Sequence, residues 1–282
     1  MSFVRIDDLT HTYTPPGRDP VPALCGIDLE IEAGEYVAIV GANGSGKTTL
    51  ARHLNALLLP TSGDVWVNGH NTRDPSALRT IRAAVGMVFQ SPADQIVATV
   101  VEEDVAFGPE NLSVPHEELS GVVRSALERV GMWHARHRPP HLLSAGQQQR
   151  IAIAGVLAMG PRCLVCDEAT SMLDPAGRRD VLCILDDLHH AGLTILSVTH
   201  SMTEAARAER VIALHQGRIA LDGRPDRVFA SEMLPSLGLM PPPATELGQR
   251  LRPYWPSLSP ALLTADELAE ALIACARAEA LA

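Results

Sequence analysis

The residues best suited to chemistry are Gly41, Ala42, Asn43, Gly44, Ser45, Gly46, Lys47, Thr48 and Thr49, which fill the spacing G-x-x-x-x-G-K-[ST]. An apolar run, Val37 to Val40, precedes them, and a helix-compatible run, Leu50 to Leu59, follows. In that strand, loop, helix context the spacing reads as a phosphate cradle, a P-loop. Glycines at 41, 44 and 46 let backbone N–H groups turn inward around an anion, and the helix start adds unpaired donors and a positive dipole end. Lys47 would then place a point charge at the β and γ phosphates of a nucleotide, and Thr48 a hydroxyl on Mg2+.

A second set of reactive side chains falls at strand ends. Cys163-Leu164-Val165-Cys166 is a short apolar run closed by Asp167-Glu168, the pattern of a buried parallel strand with carboxylates at its C-terminal edge. Adjacent residues there point in different directions, so the two carboxylates can hold different jobs. Thr194 to Thr199 reads as another buried strand, ending at His200. Cys163 and Cys166 have the C-x-x-C form, but residues three apart in a strand face opposite sides, which favours two packed thiols over a redox or metal pair. His134, His137 and His141 hint at a metal spacing, and Pro139-Pro140 breaks any helix that would align them.

The elements that must position these groups can be followed along the chain. Val4 and Ile6, then Leu24 to Ile31, alternate as strands of an antiparallel sheet leading into the P-loop strand, with Tyr13 in the first strand-turn region. Asp64 to Val67 and Ala84 to Phe89 read as further strands, with Asn68-Gly69 a hairpin signal. From Gln90 to about Pro161 helical patterns dominate, including Glu117 to Val130 and Gln147 to Met159, as in a helical subdomain at about 91–161 inserted between core strands. Asp174-Pro175 opens a helix to about His190, and Ser201 with Glu204 has the form of a capping box. Val211 to Leu214 and Arg218 to Leu221 form a terminal hairpin. Strands alternating with helices around a P-loop predict an α/β core over residues 1–234. Past Pro235 the prolines cluster, and a last helix begins at Thr264, its Glu267 completing a capping box, with Leu268, Leu272 and Cys275 on one face. This marks 235–282 as a separate C-terminal unit.

Composition narrows the function classes. No apolar run nears the roughly 18 residues that a membrane-spanning helix needs, and Met1 to Asp8 alternates like a strand instead of carrying the apolar centre of a signal peptide. A cytoplasmic protein is expected. The net charge of -10, spread along the chain, argues against binding a phosphate backbone, so no nucleic-acid partner is expected. Five cysteines without disulfide-like spacing suit a reducing compartment.

Further motifs carry a family resemblance. Leu143-Ser144-Ala145-Gly146-Gln147 resembles the L-S-G-G-Q signature of ATP-binding cassette (ABC) ATPases, Cys163 to Glu168 their Walker B strand with its glutamate, Ser171 to Asp174 their D-loop, Gln90 their Q-loop and His200 their switch histidine. The resemblance implies a P-loop ABC ATPase with a RecA-like core, an N-terminal antiparallel β subdomain, the inserted helical subdomain and a small C-terminal extension. It implies that ATP and Mg2+ bind, that Asp167, Thr48 and Gln90 serve the metal, that Glu168 polarises the attacking water with Gln90 and His200, and that Tyr13 stacks on adenine. It also implies that Ser144, Gly146 and Gln147 face the γ-phosphate held by a second ATPase subunit, a copy or a paralogue. Ser144 to Gln147 is a capping box in its own right, and a capped helix start is an anion site. Ala145 departs from the pattern, which matters if the backbone there needs φ > 0.

Val85 to Gln95, Val101 to Leu112, Ile153 to Met159 and the extension segments Thr245 to Leu247 and Leu263 to Leu268 are similar to the energy-coupling factor (ECF) ATPases of vitamin importers and the related cobalt and nickel importer ATPases, and Asp167 to Pro175 resembles the first of the two ECF ATPase types. That resemblance implies a transmembrane coupling protein, and through it a small substrate-binding membrane protein, as partners at the cytoplasmic face of the membrane. It implies that the extension helps hold two ATPases together. Asp94, Glu102, Glu103 and Asp104 would give the segment after Gln90 an acidic rim for arginine-bearing coupling helices, Asp94 foremost. The extension and this segment speak against an ATPase of another ABC transporter. One cassette, no sustained heptads and an acidic balance speak against a soluble ABC ATPase working on ribosomes or DNA.

Overall fold

A computed structural model describes residues 2–280, so Met1 of the alternating start and residues 281 and 282 of the expected C-terminal unit lie outside the described residues. The chain opens with two long strands, β1 (Val4–Tyr13) and β2 (Val21–Ile31), and continues through β3 (Tyr36–Gly41) and helix α1 (Lys47–Leu54) to β4 (Ser62–Val67) and β5 (His70–Asn71). β2, β1, β4 and β5 form a four-stranded sheet in that order, antiparallel throughout.

The second sheet holds the site. Helix α2 (Leu78–Ala84) runs into β6 (Val85–Val88), and three helices follow, α3 (Val101–Asn111), α4 (His116–Arg129) and α5 (Ala145–Ala158). Then come β7 (Cys163–Asp167), α6 (Pro175–His190), β8 (Thr194–Val198), α7 (Met202–Ala205), β9 (Arg210–His215) and β10 (Arg218–Gly223). The six strands stand in the order β10-β9-β3-β8-β7-β6, with β3 parallel to both β8 and β9 and only β10 antiparallel to its neighbour. β3, β7 and β8 are buried along their whole length, as strands covered on both faces must be.

Strand alternation divides the core into two layers. Val37, Ile39, Cys163, Val165, Leu196 and Val198 face α1 and the antiparallel sheet. Tyr36, Ala38, Leu164, Cys166 and Ile195 face the opposite way, into a layer shared with α3, α4, α5 and α6. Cys163 and Cys166 therefore lie on opposite faces, and burial pushes the Cys166 thiol up to about 12. Past α8 (Pro225–Phe229), helices α9 (Pro243–Leu251) and α10 (Ala265–Ala280) enclose a small core of Ala244, Leu258, Leu262 and Leu268, against which Leu272 and Cys275 pack.

Several boundaries differ from the sequence expectation, each for a local reason. The helix expected over 50–59 starts at Lys47 and ends at Leu54. It closes in a Schellman turn: Ala56, at φ 55°, donates to the His53 carbonyl, and Leu57 to that of Arg52. An alanine in the left-handed region gives no stop signal, so the apolar run hides the end. Ala84 ends α2 instead of opening a strand. The expected box at Ser201 is half made: Ser201 Oγ caps the Glu204 N–H, but the Glu204 carboxylate turns away to Thr170 and Thr199. At α10, Thr264 caps Glu267, whose carboxylate reaches one residue further back, to the Leu263 N–H. Among the described residues no helix is long and apolar enough to cross a membrane.

Candidate active site

The loop after β3 delivers Lys47 as the first residue of α1, nearly buried, with its Nζ donating to the carbonyls of Gly41 (2.9 Å) and Ala42 (3.1 Å). Gly46 stands at φ 106°, where a Cβ would come within 2.6 Å of the Ala23 carbonyl, so this turn admits glycine alone. Tyr13, Asn43, Gly44, Lys47, Thr48, Glu168 and His200 are among the residues that line one cavity of about 350 Å3. Ser45, within the loop, is buried, and its Oγ has no hydrogen-bond partner among the described residues. Burial pushes the Lys47 ammonium below its ordinary value, while Glu168 and Asp167 pull the other way.

Thr48 Oγ1 donates to Asp167 Oδ1 at 3.0 Å, joining the start of α1 to the end of β7. Burial raises the Asp167 carboxyl, and the Thr48 hydrogen bond opposes that shift. Glu168, next in the chain, points elsewhere: its Oε1 lies 2.7 Å from His200 Nε2 and its Oε2 3.4 Å from Gln90 Nε2. Its backbone is left-handed at φ 53°, held by a turn in which Ser171 donates to the Glu168 carbonyl from both N–H (3.1 Å) and Oγ (2.9 Å). Gln90 Nε2 also donates to Ser171 Oγ at 3.1 Å, a contact that residue spacing gave no sign of. The cavity thus gathers a cation, a hydroxyl, a carboxylate and an imidazole, with Asp167 behind the hydroxyl and the Gln90 amide on the far oxygen of Glu168.

Tyr13 ends β1 at 38% exposure, its hydroxyl 3.2 Å from Thr49 Oγ1 and its ring edge-on to His11 with centroids 4.6 Å apart. Tyr13 is thus half-exposed and among the residues that line the cavity. Ser144, Gly146 and Gln147 do not line this cavity. They form a complete capping box at the start of α5, with Ser144 Oγ accepting from Gln147 N–H and Gln147 Oε1 from Ser144 N–H. Ala145 is the first helical residue and not among the positive-φ residues, so its methyl meets no backbone restriction. The demand for glycine falls on Gly146, where a Cβ would sit 3.0 Å from the Gly177 Cα at the start of α6.

The acidic segment is only partly a rim. Asp94 is exposed in a short 3-10 turn after β6, and Glu102 pairs with His137 at 3.0 Å. Asp104 is buried, contrary to expectation: its carboxylate accepts from the N–H groups of Val97 (2.7 Å) and Ala98 (3.0 Å) and folds the loop back onto α3. Buried backbone donors need an acceptor, and this carboxylate supplies it.

Thr48 Oγ1 and Asp167, within hydrogen-bond distance of each other, are hard oxygen donors of the kind a divalent cation takes, whereas the Gln90 amide is turned toward Glu168 and Ser171.

The sequence pattern of the family described as ABC transporter matches residues 24–171. The energy-coupling factor transporter ATP-binding protein EcfA1 of Symbiobacterium thermophilum is 54% identical over 276 residues, covering 96% of each chain. Its namesake from Caldanaerobacter subterraneus is 47% identical, over 96% of this chain and 99% of its own. Among solved structures, cbiO1 from Clostridium perfringens, described as part of the ABC transporter complex cbiONQ, superposes with a TM-score of 0.76 at 33% identity, over 90% of this chain and 96% of that one. A dimeric ATP-binding cassette bound to ADP and Pi gives a TM-score of 0.71 at 31% identity, over 78% and 98%. With the cradle, the paired carboxylates and these likenesses together, the chain belongs to the ABC transporter ATPases and, within them, to the energy-coupling factor transporter ATP-binding proteins.

Proposed function

We propose that this ATPase works at the cytoplasmic face of a membrane as the motor of an importer for a vitamin or a transition-metal ion. It would pair with a second cassette, copy or paralogue, and act on a transmembrane coupling protein that in turn carries a small substrate-binding membrane protein. The observation that carries the catalytic part is the convergence of Lys47, Glu168 and His200 on one cavity of about 350 Å3.

In this reading Lys47 neutralises charge on the β and γ phosphates of ATP, the α1 N-terminus adds backbone donors, and Tyr13 stacks on the base. Glu168 accepts the proton of the attacking water as it adds to the γ-phosphorus and ADP departs. His200, 2.7 Å from that carboxylate, orients it and donates toward the developing charge, and Gln90 holds its other oxygen. Mg2+, when held by Thr48, Asp167 and Gln90, supplies positive charge to the phosphates. Ser144, Gly146 and Gln147 act on the nucleotide of the opposite cassette, which accords with their lying away from the cavity of their own chain.

Residues 1–234 form the nucleotide-binding domain in this scheme, with the helical subdomain at about 91–161, and 235–282 the dimerisation extension. Exposed Asp94 and the half-exposed Glu102 offer charge to arginine on the coupling helices, a contact that would set register more than affinity. The test is a mild-detergent pull-down of tagged Glu168→Gln chain from its native host with ATP and Mg2+. A multi-helix membrane protein arriving with a second cassette supports the importer reading. Ribosomes or DNA without any membrane protein would overturn it and leave the ATPase standing.

A further inference from the structure

Glu204 is 6% exposed, and none of the roles above uses it. A buried carboxylate is tolerated only with donors around it. Here Oε2 accepts from Thr170 Oγ1 at 2.8 Å and from Thr199 Oγ1 at 3.0 Å, both buried, and Oε1 lies 3.5 Å from Arg178 Nε near the start of α6. Thr170 is two residues past Glu168, and Thr199 immediately precedes His200.

The place of this bridge in the sheet matters. The β7–β8 ladder ends at the pair Asp167 and Val198, with one last rung from the Glu168 N–H to the Val198 carbonyl. Beyond it both chains leave regular structure, each carrying one side chain of the Glu168–His200 pair. Glu168 does so in the left-handed region, a conformation that persists only where the surroundings over-determine it. The Glu168–Ser171 turn holds that conformation from within, and Thr170, inside the turn, is tied through Glu204 to the residue before His200. Thr199 Oγ1 also accepts from the Ser201 N–H, so the loop is fixed on both sides of the histidine.

We propose that Glu204 is a positioning residue for ATP hydrolysis: its carboxylate replaces the missing strand ladder and sets Glu168 and His200 at their contact distance. The inference rests on the assignment of Glu168 as general base. It predicts loss of turnover with little loss of ATP binding, because no Glu204 contact reaches Lys47, Thr48 or Tyr13.

The test uses the ATPase assembly purified from its native host through a tag on this chain. Glu204→Gln keeps the shape and removes the charge, while Thr170→Val and Thr199→Val each remove one donor and leave Glu204 in place. All three are expected to lower kcat by about tenfold or more with KM for ATP within about twofold. In a Glu168→Gln background the same changes should leave the residual single-turnover rate where it is, since there is no base left to aim. Unchanged kcat in the two threonine variants would overturn the proposal, as would an equal fractional loss in both backgrounds, which marks a purely structural network. If Glu168→Gln alone turned over like the wild type, the base assignment would fail instead, and the two failures are told apart.

Discussion

Glu168 carries both an unusual backbone and two polar partners, and the first prediction concerns that side chain. Glu168→Gln keeps the volume and the Gln90 contact but removes the proton acceptor, so turnover should fall by about 10²-fold or more with ATP still bound and a closed cassette pair accumulating. Wild-type turnover in that variant would remove Glu168 from the role of base. Lys47→Ala should act on the other term: it deletes a buried cation, and the Kd for ATP should rise about tenfold or more, roughly 1.4 kcal/mol, in an equilibrium titration. At this scale the sequence was most readable where backbone need fixes residue type. The P-loop spacing and the Asp167-Glu168 pair announce themselves, since few other structures demand them. The contact of Gln90 with Ser171 and that of Glu204 with Thr170 were not readable, because the partners lie 81 and 34 residues away in the chain.

Two helices give predictions of their own. α1 carries His53, fully buried, with Nδ1 2.7 Å from the Thr49 carbonyl and its ring edge-on to His11. Burial pushes this imidazole below its ordinary value, the hydrogen bond to Thr49 opposing and the His11 neighbour adding to the shift. Between that lowered value and the ordinary one of about 6.5, the unfolded chain holds a proton that the folded chain refuses. Stability is therefore complete above about pH 6.5 and declines as the pH falls below it. Thermal unfolding midpoints should drop on acidification, and His53→Leu should flatten that slope. In α5, Gly146→Ala would press a methyl against the Gly177 backbone and part the α5 and α6 starts, a strain of about 1–3 kcal/mol. Ala145→Gly relieves nothing and should shift the midpoint far less. The sequence located α4 by its one-sided apolar pattern, α5 by a long apolar run after a capping box and α6 by its Asp174-Pro175 start. Its patterns misjudged the end of α1, where a Schellman turn on alanine stops the helix inside an unbroken apolar run.

For the whole molecule, the reading turns on how one cassette meets another. Among the described residues, the core that α9 and α10 enclose holds four buried apolar residues, too few to stand alone, so it must draw support from the rest of the chain. Leu263 joins the main core, and α9 and α10 meet the α7 region across a cavity of about 550 Å3 lined by Ala206, Leu247 and Leu272. Yet the same unit leaves Leu247 at 47%, Tyr254 at 78% and Ile273 at 53% exposure. Composition could mark a boundary near Pro235, since prolines interrupt helices, but whether the exposed residues meet a second chain is a property of two molecules and no single sequence encodes its geometry. If the unit holds two cassettes together, Tyr254→Ser with Ile273→Ser removes apolar contact area without touching the cassette core. Light scattering in ATP and Mg2+ should then show fewer pairs in the double variant made on Glu168→Gln, with ATP affinity of the single chain unchanged. An undiminished pair population would assign the joining of cassettes to the nucleotide-facing surfaces alone, the signature turn of α5 and the cavity opposite it.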